Sequence, residues 1–100
     1  MQELLLGVDV GTTATKAVLV DSTGHIISQG RSEYPTKYLQ AGWVEQDPNE
    51  WWKSFCEAVA IAQSGAPGAK ISGIAISAQA PTLIAVDEQG SPVRNAMIWM

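Results

Sequence analysis

Leu4-Leu5-Leu6-Gly7-Val8-Asp9-Val10-Gly11-Thr12-Thr13-Ala14-Thr15-Lys16 is the stretch that decides how the rest of the chain is read. Its unbroken apolar start predicts a strand buried on both faces, from about Leu4 to Val10. That strand delivers one carboxylate, one glycine and three hydroxyls to a tight turn. Gly11 has no Cβ, so a phosphate chain can approach the backbone N–H groups of the turn. Thr12 and Thr13 add hydroxyl donors beside those amides. Asp9 is the only acid there, and a single hard oxygen ligand suits Mg²⁺, which keeps most of its waters. Lys16 lies just beyond, facing either phosphate or solvent. An ordinary hairpin turn is the competing reading of the same residues. The two common nucleotide loops are absent: no G-x-G-x-x-G opens a helix, and there is no G-x-x-x-x-G-K-[ST].

Outward from this turn the chain reads as alternating elements. A second strand spans about Thr15 to Val20, and Asp21-Ser22-Thr23-Gly24 turns it into a third that begins at His25 and continues to Gln29. These make an antiparallel meander, with His25 a solvated strand residue. Tyr34 to Gln46 reads as a loop. Asp47-Pro48-Asn49-Glu50 predicts a helix start, with Asp47 as cap, Pro48 in the first position and Glu50 completing a capping box. The helix runs to about Ser64, where Gly65 and Pro67 stop it. Its apolar stripe is Trp52, Phe55, Cys56, Val59 and Gln63, flanked by Trp51 and Ala62, which makes Cys56 a packed core thiol.

Ile71 to Ser77 is a fourth strand. The helix before it supplies the crossover for parallel pairing with the first strand, which brings Ala78-Gln79-Ala80-Pro81 beside the Asp9 turn. A last hairpin follows, from Leu83 to Val86 and from Val93 to Trp99 around Asp87-Glu88-Gln89-Gly90, whose acids read as solvated turn residues. The fold class is therefore α/β: a mixed sheet of an antiparallel three-stranded meander plus a parallel fourth strand reached through a crossover helix.

At 100 residues the chain has room for one small domain or part of a larger one. A net charge of −4 without a basic stripe argues against nucleic acid or an anionic membrane as partner. One cysteine cannot form an internal disulfide, which fits a reducing, cytoplasmic setting. No signal peptide or membrane-length apolar run is present. Ile98-Trp99-Met100 ends the sequence without a closing turn, which reads as a cut through a longer protein.

Four stretches together resemble the amino-terminal domain of the FGGY carbohydrate kinases: Gly7 to Thr13, Gly42-Trp43-Val44-Glu45-Gln46-Asp47-Pro48 leading into Trp51-Trp52, Ile74 to Gln79, and Ala96-Met97-Ile98-Trp99. The resemblance implies a ribonuclease H-like, actin-like ATPase fold, of which residues 1–100 are the amino-terminal part of the first domain. The ATPase-like carboxyl-terminal domain would lie beyond. It implies ATP and Mg²⁺ as cofactors and a sugar or polyol as acceptor, with Asp9 acting through the metal and Gly11, Thr12, Thr13 and Lys16 on the phosphate side. Gln79, Ala80, Pro81 and Trp99 would face the acceptor, and the catalytic base would come from beyond residue 100. A homodimer is a family-level expectation.

Where xylulose kinases of this family carry Met-His and glycerol kinases carry Arg-Glu after the matching Gln, this chain has Ala80 and Pro81. Neither offers a side-chain hydrogen bond, which points to a bulkier or less hydroxylated acceptor or to contacts from elsewhere. Trp43 is read as packing. Two other readings stand open on sequence alone: an actin-like or chaperone-like nucleotide-driven binding module, and a non-catalytic sugar-binding relative.

Overall fold

The computed structural model describes residues 2–98. Strands β1 (Glu3–Val10), β2 (Ala14–Val20) and β3 (Ile26–Glu33) form the meander. After β4 (Lys37–Gln40) and β5 (Trp43–Gln46), helix α1 (Pro48–Ser64) leads to β6 (Lys70–Ala78). Strands β7 (Thr82–Leu83) and β8 (Ala96–Ile98) complete the described chain. One sheet has the order β3-β2-β1-β6, with β6 parallel to β1 and the other pairs antiparallel. This is the α/β arrangement expected from the crossover helix.

The segment from Tyr34 to Gln46 is not a loop. It contains the β4–β5 hairpin, whose turn at Ala41-Gly42 relies on a positive φ of 79° at Gly42. A second sheet, β4-β5-β8-β7, grows from this hairpin. The expected last hairpin contributes its two ends to that sheet: Thr82 pairs with Ile98 and Leu83 with Met97, while Val86 and Pro92 make only an isolated bridge. Its loop keeps the expected turn, with the Asp87 carboxylate accepting from the N–H groups of Gln89 and Ser91 at 2.9 Å each. Trp99 lies outside the described residues.

The core sits between the first sheet and α1. Leu4, Leu6 and Val8 from β1, Ala17 and Leu19 from β2, and Ala58 and Ala62 from α1 are buried together. The expectation that β1 is buried on both faces is corrected: Leu5 is 47% exposed and Asp9 is exposed, because α1 covers only one face of the sheet.

The helix stripe is corrected in part. Ser54, Ala58 and Ala62 are the buried helix residues, and Phe55 and Val59 pack against the core as expected, whereas Cys56 and Gln63 are exposed and Trp52, stacked on Phe55, is 67% exposed. The reason is a close approach. Gly30 of β3 lies directly under the helix, and a methyl there would run into the Ala58 carbonyl and stand 2.9 Å from the Ala62 nitrogen. Only small residues fit such a seam, so this face carries no stripe of large apolar side chains. Ser28 on β3 reinforces it by donating to the Ala62 carbonyl at 2.6 Å.

Asp47 caps α1 as expected, accepting from Asn49 N–H at 2.9 Å. The return bond from Glu50 that would complete a capping box is absent among the described hydrogen bonds. Gly65 ends the helix, its N–H reaching Ala62 O at 3.2 Å.

Replacing Gly30 by Val should force α1 off the sheet and cost about 3 kcal/mol, the upper end for overpacking a core. Urea unfolding should show a lower midpoint, and an unchanged midpoint would contradict the close-packed seam.

Candidate functional site

The Asp9 turn lies where β1 ends, beside the carboxyl end of its parallel neighbour β6. Cross-strand register places Lys16 opposite Asp9 on one side and Ser77 opposite it on the other. Because these residues share a register line, their side chains emerge on the face that α1 leaves open. They border an open groove there together with Gly7, Val18 and Ala75. The Asp9 carboxylate makes no hydrogen bond or ion pair with the described residues. No group of three or more His, Cys, Asp or Glu side chains gathers among them, so Asp9 is the lone acid of the turn.

The turn is closed by Gly11 N–H donating to Ala14 O at 3.0 Å. Among the described residues no acceptor takes the N–H of Thr12 or Thr13. Two free amides beside one uncommitted carboxylate can receive a phosphate and a hydrated divalent cation together.

Three residues hold this turn from behind. Tyr34 donates its phenol proton to Gly11 O, with Ala14 O 3.3 Å away, and its own N–H reaches Thr13 O at 3.2 Å. Burial pushes the Tyr34 phenol above its ordinary value of 10.0, the Asp9 carboxylate adds to the rise, and Thr15 opposes it.

Gln46 is the second holder and is only 1% exposed. Its Nε2 donates to Thr12 O at 2.6 Å and to Thr36 Oγ1 at 2.8 Å. Its Oε1 accepts from Trp51 Nε1 at 2.8 Å and from Gln79 Nε2 at 2.7 Å. Both amide protons and both lone pairs are therefore used, the condition under which a buried amide rigidifies its surroundings.

Gln79 is the third. Its backbone N–H donates to Val10 O at 3.0 Å while its side chain meets Gln46, so the end of β6 is tied to the turn at two points.

The structure thus brings together Asp9, Gly11, Thr12, Thr13, Lys16 and Gln79. Gln79 spends its side-chain N–H on Gln46 and so acts as a positioning residue within the protein. Ala80 and Pro81 are exposed in the bend that follows. Trp99 lies outside the described residues. Sequence reasoning missed Tyr34, Gln46 and Ser77. The Gly42 to Pro48 signature contained Gln46, but the β5 residues Glu45 and Gln46 are both buried and polar, so no alternation of apolar and polar residues marked the strand.

Replacing Gln46 by Leu leaves four polar partners without their amide and should cost about 2–4 kcal/mol of unfolding free energy. Chemical denaturation checks this, and a loss below 1 kcal/mol would contradict the network. Tyr34 gives a pH signature. A phenol raised on folding contributes stability that is fully present below pH 10 and is lost as pH climbs past that value. Tyr34→Phe should cost about 1 kcal/mol at neutral pH and flatten that alkaline loss. An alkaline unfolding profile unchanged in the variant would overturn the assignment.

Residues 4–100 match the FGGY family of carbohydrate kinases, N-terminal domain. Glycerol kinase 1 of Lactiplantibacillus plantarum is 40% identical over 98 residues, covering 95% of this chain and 19% of that protein. The crystal structure of gluconate kinase from Lactobacillus acidophilus superposes with a TM-score of 0.90 at 30% identity, covering 97% of this chain and 20% of that one. A ligand-bound xylulose kinase from the same organism gives 0.88 at 30% identity, with 95% and 19% covered. The chain spans about a fifth of the length of these relatives. The two-residue turn after β1, the parallel β6 and the Gln46-centred signature fall within one matched region, and the chain belongs to the FGGY family of carbohydrate kinases, corresponding to its N-terminal domain.

Proposed function

We propose that these residues form the phosphate-side turn and part of the acceptor site of an ATP-dependent kinase that phosphorylates a hydroxyl of a sugar or polyol. The observation that carries this reading is the uncommitted Asp9 carboxylate beside the free Thr12 and Thr13 amides, on a turn held from behind by Tyr34 and Gln46. Family membership supports the reaction class, since the similar sequences include glycerol kinases and the similar solved structures include gluconate and xylulose kinases.

The donor set fits Mg²⁺: Asp9 is the one acid of the turn, and among the described residues no group of three or more His, Cys, Asp or Glu side chains gathers, which suits a cation that retains its waters. When bound, the metal would supply charge neutralisation to the phosphate chain. Asp9 would hold it through oxygen. Thr12 and Thr13 would donate N–H to phosphate oxygens, and Gly11 lets that chain approach without a Cβ in the way. Lys16, directly across the ladder from Asp9, offers a cation to the same groove. Phosphoryl transfer needs little covalent help from protein, so positioning and electrostatics are this domain's share. The general base and the adenosine site would come from beyond residue 100. An exposed lone Cys56 with no disulfide partner is compatible with a cytoplasmic protein. Among the described residues no helix is long and apolar enough to cross a membrane.

ADP formation by the full-length protein should be stimulated by at least one member of a panel of ketoses, aldonates and polyols with Mg²⁺ and ATP. Asp9→Ala should lower that rate by about 10²–10³, the usual loss when a transition-state electrostatic group is removed. Residues 1–100 alone should release no more ADP than a catalyst-free control. Full activity in the Asp9 variant would overturn the role given to this turn.

A further inference from the structure

Strand β6 alternates large and small. Ile74 and Ile76 stand in register with Leu6 and Val8 on the α1 side, while Gly73, Ala75 and Ser77 stand in register with Leu5, Gly7 and Asp9 on the open side. The open side therefore has a low floor, Gly7 beside Ala75, and ends in two oxygen-bearing side chains on adjacent parallel strands. The groove above it measures about 470 Å³. Six waters occupy about 180 Å³ at about 30 Å³ each, so a fully hydrated cation has room there.

Charge is distributed unevenly along this row. From β3 to β6 the register reads Arg31, Lys16, Asp9, Ser77. Arg31 is paired with Glu33, whereas Lys16 forms no ion pair among the described residues although it stands directly across from Asp9. An ammonium on the β2 side of the carboxylate repels a divalent cation and attracts phosphate. The side of Asp9 that favours the cation is the β6 side, and the side chain waiting there is Ser77.

Ser77 is exposed, and its hydroxyl makes no hydrogen bond with the described residues. A serine oxygen offers two lone pairs and one proton. Neighbouring strands lie about 4.8 Å apart, further than one O–H···O bond of about 2.7 Å, so a shared water can bridge oxygens held on the two. Waters on Mg²⁺ are strong donors that need acceptors, and a lone carboxylate cannot take them all. Resting on the reading of Asp9 as the cation's carboxylate, we propose that Ser77 is a positioning residue for that cation. Its Oγ accepts a hydrogen bond from a metal-held water, so the ion is fixed from β1 and β6 together and kept apart from Lys16, which is left to the phosphate.

The test uses Mn²⁺ as the probe, with its binding to the full-length protein in the presence of ADP followed by the EPR signal of the free ion. Ser77→Ala should weaken Mn²⁺ binding by about tenfold, the lower end for a group acting on a metal from its outer shell. Affinity for ADP without metal and the thermal midpoint should both stay in place. Ser77→Thr keeps the hydroxyl and should bind Mn²⁺ as the wild type does. In turnover, Ser77→Ala should need about tenfold more Mg²⁺ to reach half its maximal rate, with that maximum close to wild type. Wild-type Mn²⁺ affinity in Ser77→Ala would overturn the proposal, as would a Ser77→Thr protein no better than Ser77→Ala. A loss of ADP affinity without metal would also overturn it, because the hydroxyl would then act on phosphate directly. Undiminished Mn²⁺ binding in Asp9→Ala, or none in the wild type, would instead overturn the metal role of the turn, and this proposal with it.

Discussion

A single buried amide holds the parts of this domain in relation to one another. Gln46 emerges from the second sheet, grips the carbonyl of Thr12 in the turn after β1, and accepts hydrogen bonds from the helix through Trp51 and from the end of β6 through Gln79. In water those bonds would be exchangeable with solvent and contribute little net. In a site this buried, each partner left alone costs its own desolvation, so the set is formed whole or not at all. The turn is therefore located by tertiary structure and not by its own sequence. That is what the phosphate-binding role proposed for this turn would require, because amides that receive a ligand must be fixed before it arrives.

A steric constraint complements this polar one. Gly30, Ala58 and Ala62 let α1 approach β3 closely, and α1 as a result lies over β2 and β3, away from β6. Ile74 and Ile76, in register with the buried Leu6 and Val8, consequently remain 62% exposed each. The opposite face of the sheet carries Asp9, Lys16 and Ser77 in one row. The packing of small residues thus decides which face of the sheet α1 covers.

Much of this was legible in the sequence. The meander, the crossover helix, the parallel β6 and the meeting of Gln79 with the Asp9 turn all follow from turn residues, capping and connection rules. Legibility failed where the deciding contacts were between small or polar residues. The Ser54-Ala58-Ala62 face carries no large apolar signal, so the apolar pattern finds Phe55 and Val59 beside the core but places Cys56 there as well. The β4–β5 hairpin was missed because Glu45 and Gln46 are buried through partners far away in sequence, Arg94 and Thr12, which no local pattern announces. Of the candidate site, the gathering of Asp9, Gly11, Thr12 and Thr13 in one turn was readable from the sequence. Tyr34 was not, because its role depends on a fold-back of more than twenty residues onto Gly11.

The central claim is that the Thr12 and Thr13 amides are free, fixed and aimed at phosphate. It is tested most directly by following the amide signals of ¹⁵N-threonine-labelled full-length protein during titration with Mg²⁺-ATP. The account predicts that Thr12 and Thr13 shift most among the threonines of this domain, and that Gln46→Leu weakens that response while Thr23, on a remote turn, stays still in both proteins. Saturating nucleotide that leaves the Thr12 and Thr13 signals in place would contradict it.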